Sequence, residues 1–272
     1  MYMLARLKRR LLVWLYNRRG RMPWLGGEIF FPQYSMIASS LMSAGGWEKD
    51  VTRMLTTASK PGTTAFDIGA NIGSSALAIL DLFPDIQVVS FEPSPTILPY
   101  LKKTRENSRF RDRWQITPKA VADRAGLEVP FTIYEGAGAD VFEGFKDTGR
   151  SGRPARQMTV PTTTVDAEWR ALGKPTISVI KIDVEGAELA VLGGAVECLR
   201  FCRPVIVTEW CSKNFSAYGN SIGDIISASK AASYTAYVIP ELTEAKDDKL
   251  FPYQLADREN LLLLPNIIEH EQ

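Results

Sequence analysis

Histidine is almost missing from this sequence: the single one, His270, stands two residues from the C-terminus. A chain end frays, so acid–base chemistry here falls to carboxylates rather than to an imidazole. Cysteine is scarce too. Cys198, Cys202 and Cys211 make no disulfide framework. With no histidine or second cysteine pair beside them, Cys198 and Cys202 lack the ligand set of a zinc site. Buried thiols in a reducing cytosol are the simpler reading. Long apolar runs are absent as well, and no segment reaches the length of a membrane-spanning helix. Residues 11–16 form a short apolar run after a basic stretch. Asn17-Arg18-Arg19 follows where a signal peptide would carry small residues. The expectation is a cytoplasmic protein.

Acidic residues are missing from one place only. Residues 1–21 carry Arg6, Lys8, Arg9, Arg10, Arg18, Arg19 and Arg21 and no acid. Seven positive charges against a total of +1 leave −6 for the rest of the chain. A basic arm on an acidic body is an interaction signal. Leu4, Leu7, Leu11, Trp14 and Leu15 share one face at helical spacing, with Arg6, Arg9 and Arg10 off it. Such a helix suits an anionic membrane surface, or it packs on its own domain or on a partner subunit. An acidic body argues against nucleic acid as a partner.

What remains is ordinary for a globular protein: 272 residues, 45% hydrophobic and 23% charged, enough for one large domain. The reading divides it into residues 1–46, a basic amphipathic helix and connector, and a domain over residues 47–272. A short helix closes at Pro61-Gly62, and strands then alternate with helices. Strands are expected at 64–68, 86–91, 115–121, 176–182, 204–207, 234–239 and 261–264. Helices are expected near 96–107, 187–199 and 222–232. Residues 129–134 and 158–164 read as a hairpin or side sheet, with a long Gly/Arg-rich loop over 136–156 between them. The pattern predicts an α/β fold: a mainly parallel sheet with helices on both faces.

The most informative segment is Phe66-Asp67-Ile68-Gly69-Ala70-Asn71-Ile72-Gly73. It reads as a strand turning tightly into a helix, whose N-terminus offers unpaired N–H groups to a ligand. A dinucleotide wants Gly-x-Gly-x-x-Gly, because a pyrophosphate lies against the backbone. Here the middle glycine is missing, and Asp67 stands where a phosphate would be repelled. S-adenosylmethionine has no phosphate. Its cationic part suits Asp67, and its carboxylate suits the helix start. Glu92, 19 residues after Gly73 at the end of the second strand, can accept both ribose hydroxyls. The alternatives are a helix cap for Asp67 and a loop acid for Glu92.

Three segments carry a resemblance: Asp67-Ile68-Gly69-Ala70-Asn71-Ile72-Gly73; Phe91-Glu92-Pro93; and Lys181-Ile182-Asp183-Val184-Glu185-Gly186-Ala187-Glu188. Together with Trp47-Glu48, Ala120-Val121 and Asn260 they resemble the FkbM-type methyltransferases over roughly residues 47–265. The resemblance implies a class I methyltransferase fold with a seven-stranded, mainly parallel sheet. It also implies S-adenosylmethionine-dependent O-methylation of sugars or complex natural products. It points to Glu48, Asp67, Gly69, Asn71 and Glu92 as cofactor contacts. Gly73, Pro93, Ala120 and Asp183 join that list from their places along the cleft.

Methyl transfer needs the acceptor hydroxyl held in line and its proton accepted. Asp183 and Glu209 end the fourth and fifth strands on the cleft edge and are the first and second choices for that base. Glu185 is added from the signature motif, while it and Glu188 also read as dipole-favouring acids in a first helical turn. Asp183 and Glu209 are ligand types for magnesium, but two acids without a third do not make a site, and no metal is expected. Arg150, Arg153 and Arg156 either grip a phosphate or acidic sugar or lie in a solvated loop. The chain lacks the Asn/Asp-Pro-Pro-aromatic and Pro-Cys motifs of base-modifying enzymes. The expected acceptor is a hydroxyl of a glycan, glycolipid precursor or small molecule. A nicotinamide-dependent oxidoreductase and a non-catalytic binding module stay open beside it.

Overall fold

The computed structural model describes residues 2–44, 49–136, 142–149, 151–246 and 259–267; side chains are described from residue 11 on, 43 and 44 excepted. Helix α1 (Tyr2–Arg19) leads into an antiparallel hairpin, β1 (Arg21–Trp24) and β2 (Gly27–Phe30), and then α2 (Met36–Ala44). Of residues 20–46, expected to wrap as a connector, the described residues 20–44 are therefore largely regular. Alternate apolar positions give the hairpin one buried face: Met22, Ile29 and Phe31 enter the same core cluster as Leu77, Ile79 and Trp114.

Helix α3 (Lys49–Ala58) precedes the central unit, which starts with β3 (Thr64–Ile68), α4 (Ser74–Leu82), β4 (Gln87–Phe91), α5 (Leu98–Glu106) and β5 (Trp114–Thr117). The strand expected over 115–121 is two strands. Pro118 cannot donate to a ladder, and β6 (Ala120–Val121) leaves for a second sheet. There it joins β8 (Ala155–Thr163), which pairs antiparallel with β7 (Glu128–Tyr134) in the side hairpin read from the sequence. Then follow α6 (Val165–Ala171), β9 (Ile177–Ile182), α7 (Glu188–Gly193), α8 (Val196–Cys202), β10 (Val205–Glu209), α9 (Ser212–Ala217), α10 (Ile222–Ala231), β11 (Tyr234–Val238), β12 (Thr243–Glu244) and β13 (Asn260–Pro265). The helix expected over 187–199 breaks at Gly193-Gly194. A side chain on Gly194 would lie 2.2 Å from the Ala122 carbonyl, so close packing decides the break.

Among the described residues the main sheet has the order β12-β11-β13-β10-β9-β3-β4-β5. It is seven strands with the two-residue β12 added at one edge. The ladders β10–β9–β3–β4–β5 are parallel, and β13 runs antiparallel between β10 and β11. Both faces are covered, so β3 and β9 are buried along their whole length. The side-chain period of two divides β3 between the layers: Phe66 and Ile68 enter one core cluster and Ala65 the other. The chain leaves β3 toward β4 and β5 and returns on the other side at β9. That switch opens a crevice at the carboxyl ends of β3 and β9, where ligands of such sheets bind.

Candidate functional site

A cleft of about 650 Å³ occupies that switch point. Its first wall is the turn after β3. Gly69 and Gly73 have φ of +76° and +89°, and Asn71 has +48°. Each glycine has its own reason. A Cβ on Gly69 would sit 1.7 Å from the Asp183 carbonyl oxygen, so the absent side chain lets β3 and β9 close together at the cleft floor. A Cβ on Gly73 would strike the Trp114 ring at 2.6 Å, so this glycine serves core packing and does not line the cleft.

Glu92 leaves the end of β4 and turns back over the turn. The Asn71 N–H donates to Oε2 and the Ser94 N–H to Oε1, both at 2.8 Å. Glu92, Pro93, Asn71, Gly69 and Ala120 all line the cleft, as the sequence predicts. Burial pushes the Glu92 carboxyl up to about 7, against the pull of its two backbone N–H donors; the Glu143 charge adds to the rise.

Asp67 is a correction. It is fully buried and does not line the cleft. The pleat points it under the turn, where the Ser90 hydroxyl donates to it at 3.4 Å and Trp114 Nε1 donates to Ser90 at 2.9 Å. Burial raises its carboxyl above the usual range, against the nearby Lys181 charge. It braces the turn from below. Glu48, the remaining cofactor candidate, lies outside the described residues, as do Trp47, Arg150 and His270.

The opposite wall gathers acids from distant segments. Asp183 follows β9, Glu185 stands two residues on, and Glu209 ends β10; oxygens of the three lie within 4.8 Å of one another. Glu185 supplies the third carboxylate that the sequence reading did not place beside Asp183 and Glu209. This trio has the donor chemistry of a hard cation, and protein groups meet only part of its charge. Lys181 Nζ donates to Asp183 at 2.9 Å and to the Gly69 carbonyl at 3.3 Å. Asn214, fully buried on α9, donates to Glu185 at 2.7 Å and reaches Glu209 at 3.5 Å.

The backbone of the signature motif explains how these acids aim. Glu185 has φ +55° and Gly186 +105°. A Cβ on Gly186 would meet the Tyr218 ring at 2.8 Å and the Asn214 carbonyl at 2.9 Å. Glu188 is wholly buried and accepts the Val184 and Gly186 N–H groups at 3.1 and 3.3 Å, holding the bend. This is the structural role read for it from its place at a helix start. Burial pushes its carboxyl up to about 7.

Among its described residues the long loop contributes acid and rings to the cleft rather than arginine. Phe142, Glu143 and Phe145 line the cleft; Thr96 donates to Glu143 at 2.9 Å, and Phe145 packs edge-on against Phe131. Arg153 and Arg156 are exposed and off the cleft wall, with Arg156 3.8 Å from Glu135. Lys181, Asn214, Phe131 and Glu143 are the site residues for which sequence reasoning assigned no role. Lys181 alone had a signal, its place in the signature motif. Asn214 sits in Ser212-Lys213-Asn214-Phe215, which has no recognisable pattern.

The Methyltransferase FkbM domain model matches residues 67–236 of this chain. The 2-O-methyltransferase NoeI of Sinorhizobium fredii is 32% identical over 163 residues, covering 56% of this chain and 64% of NoeI. Among solved structures, a methyltransferase FkbM from Methylobacillus flagellatus superposes with a TM-score of 0.44 at 13% identity, covering 96% of this chain and 60% of that one. A TehB-like SAM-dependent methyltransferase from Corynebacterium glutamicum gives 0.46 at 12% identity, with 84% and 94% covered. The chain thus spans less than two thirds of the length of NoeI and of the Methylobacillus protein. With the family model matching more than half of its residues, and all three motifs falling on the rim of one cleft or just beneath it, the chain belongs to the FkbM methyltransferase family.

Proposed function

We propose that this protein is an S-adenosylmethionine-dependent O-methyltransferase acting on a hydroxyl of a sugar, glycan or glycolipid precursor. One observation carries the reading: the cleft is lined by carboxylates. Glu92, Glu143, Asp183, Glu185, Glu209 and Glu259 face Lys119 and Lys181 as the basic residues among the described lining. Lys119 is engaged by Glu168 and Lys181 by Asp183. A pyrophosphate would be repelled there, whereas a cofactor with a positively charged sulfur would be drawn in. That disfavours a nicotinamide dinucleotide.

S-adenosylmethionine, when bound, supplies a methyl group on that charged sulfur. The chain's residues do the rest. Each Glu92 oxygen already holds one backbone N–H, and a carboxylate has about four acceptor positions, so both oxygens can also take a ribose hydroxyl. The first turn of α4 offers N–H groups to the cofactor's carboxylate. Across the cleft, Asp183, which accepts a hydrogen bond from Lys181, is placed to accept the proton of the acceptor hydroxyl, with Glu209 as the second candidate. Phe131, Phe142 and Phe145 give the acceptor an apolar wall beside these acids, a mixture that suits a sugar ring. NoeI, named for methylating an oxygen, supports the choice of O-methylation.

Calorimetric titration with S-adenosylmethionine and with a nicotinamide dinucleotide tests the cofactor: the first is expected to bind and the second not. Tight nicotinamide binding without S-adenosylmethionine binding would overturn the reading. Mass spectrometry of glycans incubated with protein and cofactor should then find a gain of one methyl on oxygen.

A further inference from the structure

Helix α1 has an apolar row that its own domain does not cover. Tyr16 packs against the core formed by the hairpin, α2 and α4. At 3.6 residues per turn, Trp14 points to the side of the helix opposite Tyr16, and Leu11 lies one turn from Trp14 on that outer side. Both are more than half exposed, at 56% for Leu11 and 54% for Trp14. An exposed row of leucine and tryptophan has a reason elsewhere than in the fold.

The charge of the same segment identifies that reason. Residues 1–21 carry seven basic residues and no acid. Arg18 and Arg19 at the end of the helix and Arg21 after it are exposed, and the Arg18 guanidinium lies 5.5 Å from the centre of the Trp14 ring. Two such helices face to face would repel, which disfavours a second copy of this chain. A surface that pairs apolar depth with negative headgroups accepts both features at once. Among the described residues no helix is long and apolar enough to cross a membrane, so the fitting geometry is a helix lying in the interface.

We propose that α1 docks this protein on an anionic lipid bilayer, with Leu11 and Trp14 entering the headgroup boundary and the arm's positive charge meeting the lipid phosphates. The helix packs on α2, whose Met36 and Ile37 line the cleft. The docking itself does not depend on the methyltransferase chemistry.

Vesicle flotation of the full chain tests this with phosphatidylcholine alone and with added phosphatidylglycerol. Binding to the anionic vesicles is expected to be at least about tenfold tighter than to the neutral ones and to weaken as salt rises. The double variant Leu11→Ser, Trp14→Ser should lose about tenfold or more in vesicle affinity. Its circular dichroism and unfolding temperature should stay near those of the parent, because these side chains face solvent. The pair Arg18→Gln, Arg19→Gln, which leaves the apolar row intact, should lose about tenfold as well. No flotation, equal flotation on both vesicles, or parent-like binding by the variants would overturn the proposal. So would a concentration-dependent dimer that the double variant abolishes.

Discussion

The two walls of the cleft are built in different ways. The wall proposed for the cofactor comes from one strand–turn–helix and the next strand end, and much of it is backbone: Gly69 lets strands close, and Glu92 grips the Asn71 and Ser94 N–H groups. The wall proposed for the acceptor is made of side chains from distant segments, Asp183 and Glu185 after β9, Glu209 on β10 and Asn214 on α9. A backbone wall tolerates little change in shape. A side-chain wall can change its chemistry while the fold stays.

The sharpest break of this comparison is on the acceptor wall. Asp183→Asn should cut turnover per folded molecule by about 10²–10⁴, because a general base is lost without a change of volume, and should also lower the unfolding temperature, because buried Lys181 loses its anionic partner. Turnover within about twofold of the parent would remove Asp183 from the base role. On the cofactor wall, the matching change is Gly69→Ala. It combines a positive φ with a Cβ placed 1.7 Å from a carbonyl oxygen, so a loss of about 3 kcal/mol or more in chemical denaturation is expected. An unchanged midpoint would show that this wall can move after all.

A milder change keeps the fold and weakens the ligand. Glu92→Ala should reduce S-adenosylmethionine affinity about 10- to 100-fold by calorimetry, the range for lost hydrogen bonds to a charged group. The smallest effect separates buried acids that hold backbone from those that face the cleft. Glu92 and Glu188 have carboxyls raised from 4.5 to about 7 in the folded state. The folded chain therefore keeps protons that the unfolded chain releases. Their contribution to stability is full below about pH 4.5 and drains away as pH rises to about 7. Denaturation midpoints should fall over that window. Glu188→Gln, whose amide oxygen can still accept the Val184 and Gly186 N–H groups, should flatten the slope by about one proton. An unaltered slope would place the titration elsewhere.

The same division separates what could be read from the sequence and what could not. The strands at 64–68 and 176–182 were legible because each is a short apolar run bounded by turn residues, and Gly69 and Glu92 were legible because they follow such runs directly. The expected strand over 115–121 failed at Pro118, and the helix over 187–199 failed where Gly194 meets the Ala122 carbonyl. Residues 20–46 looked like a connector because their glycines and prolines masked two short strands with one buried face. Asp67 was read as a ligand contact since it stands just before the turn. The pleat sends its side chain the other way, under the turn to Ser90.

By itself, then, the sequence determined the order of strands and helices, the glycine turn, and the carboxylates at the strand ends. Those depend on periodicity and backbone freedom, which act over a few residues. Tertiary structure alone decided that Lys181 pairs with Asp183, that Asn214 ties Glu185 to Glu209, and that the long loop presents Phe142 and Glu143 rather than Arg153 and Arg156. These depend on how strands are ordered in the sheet and which pleat face each side chain takes. That ordering brings together residues far apart in the chain, and no local pattern records it.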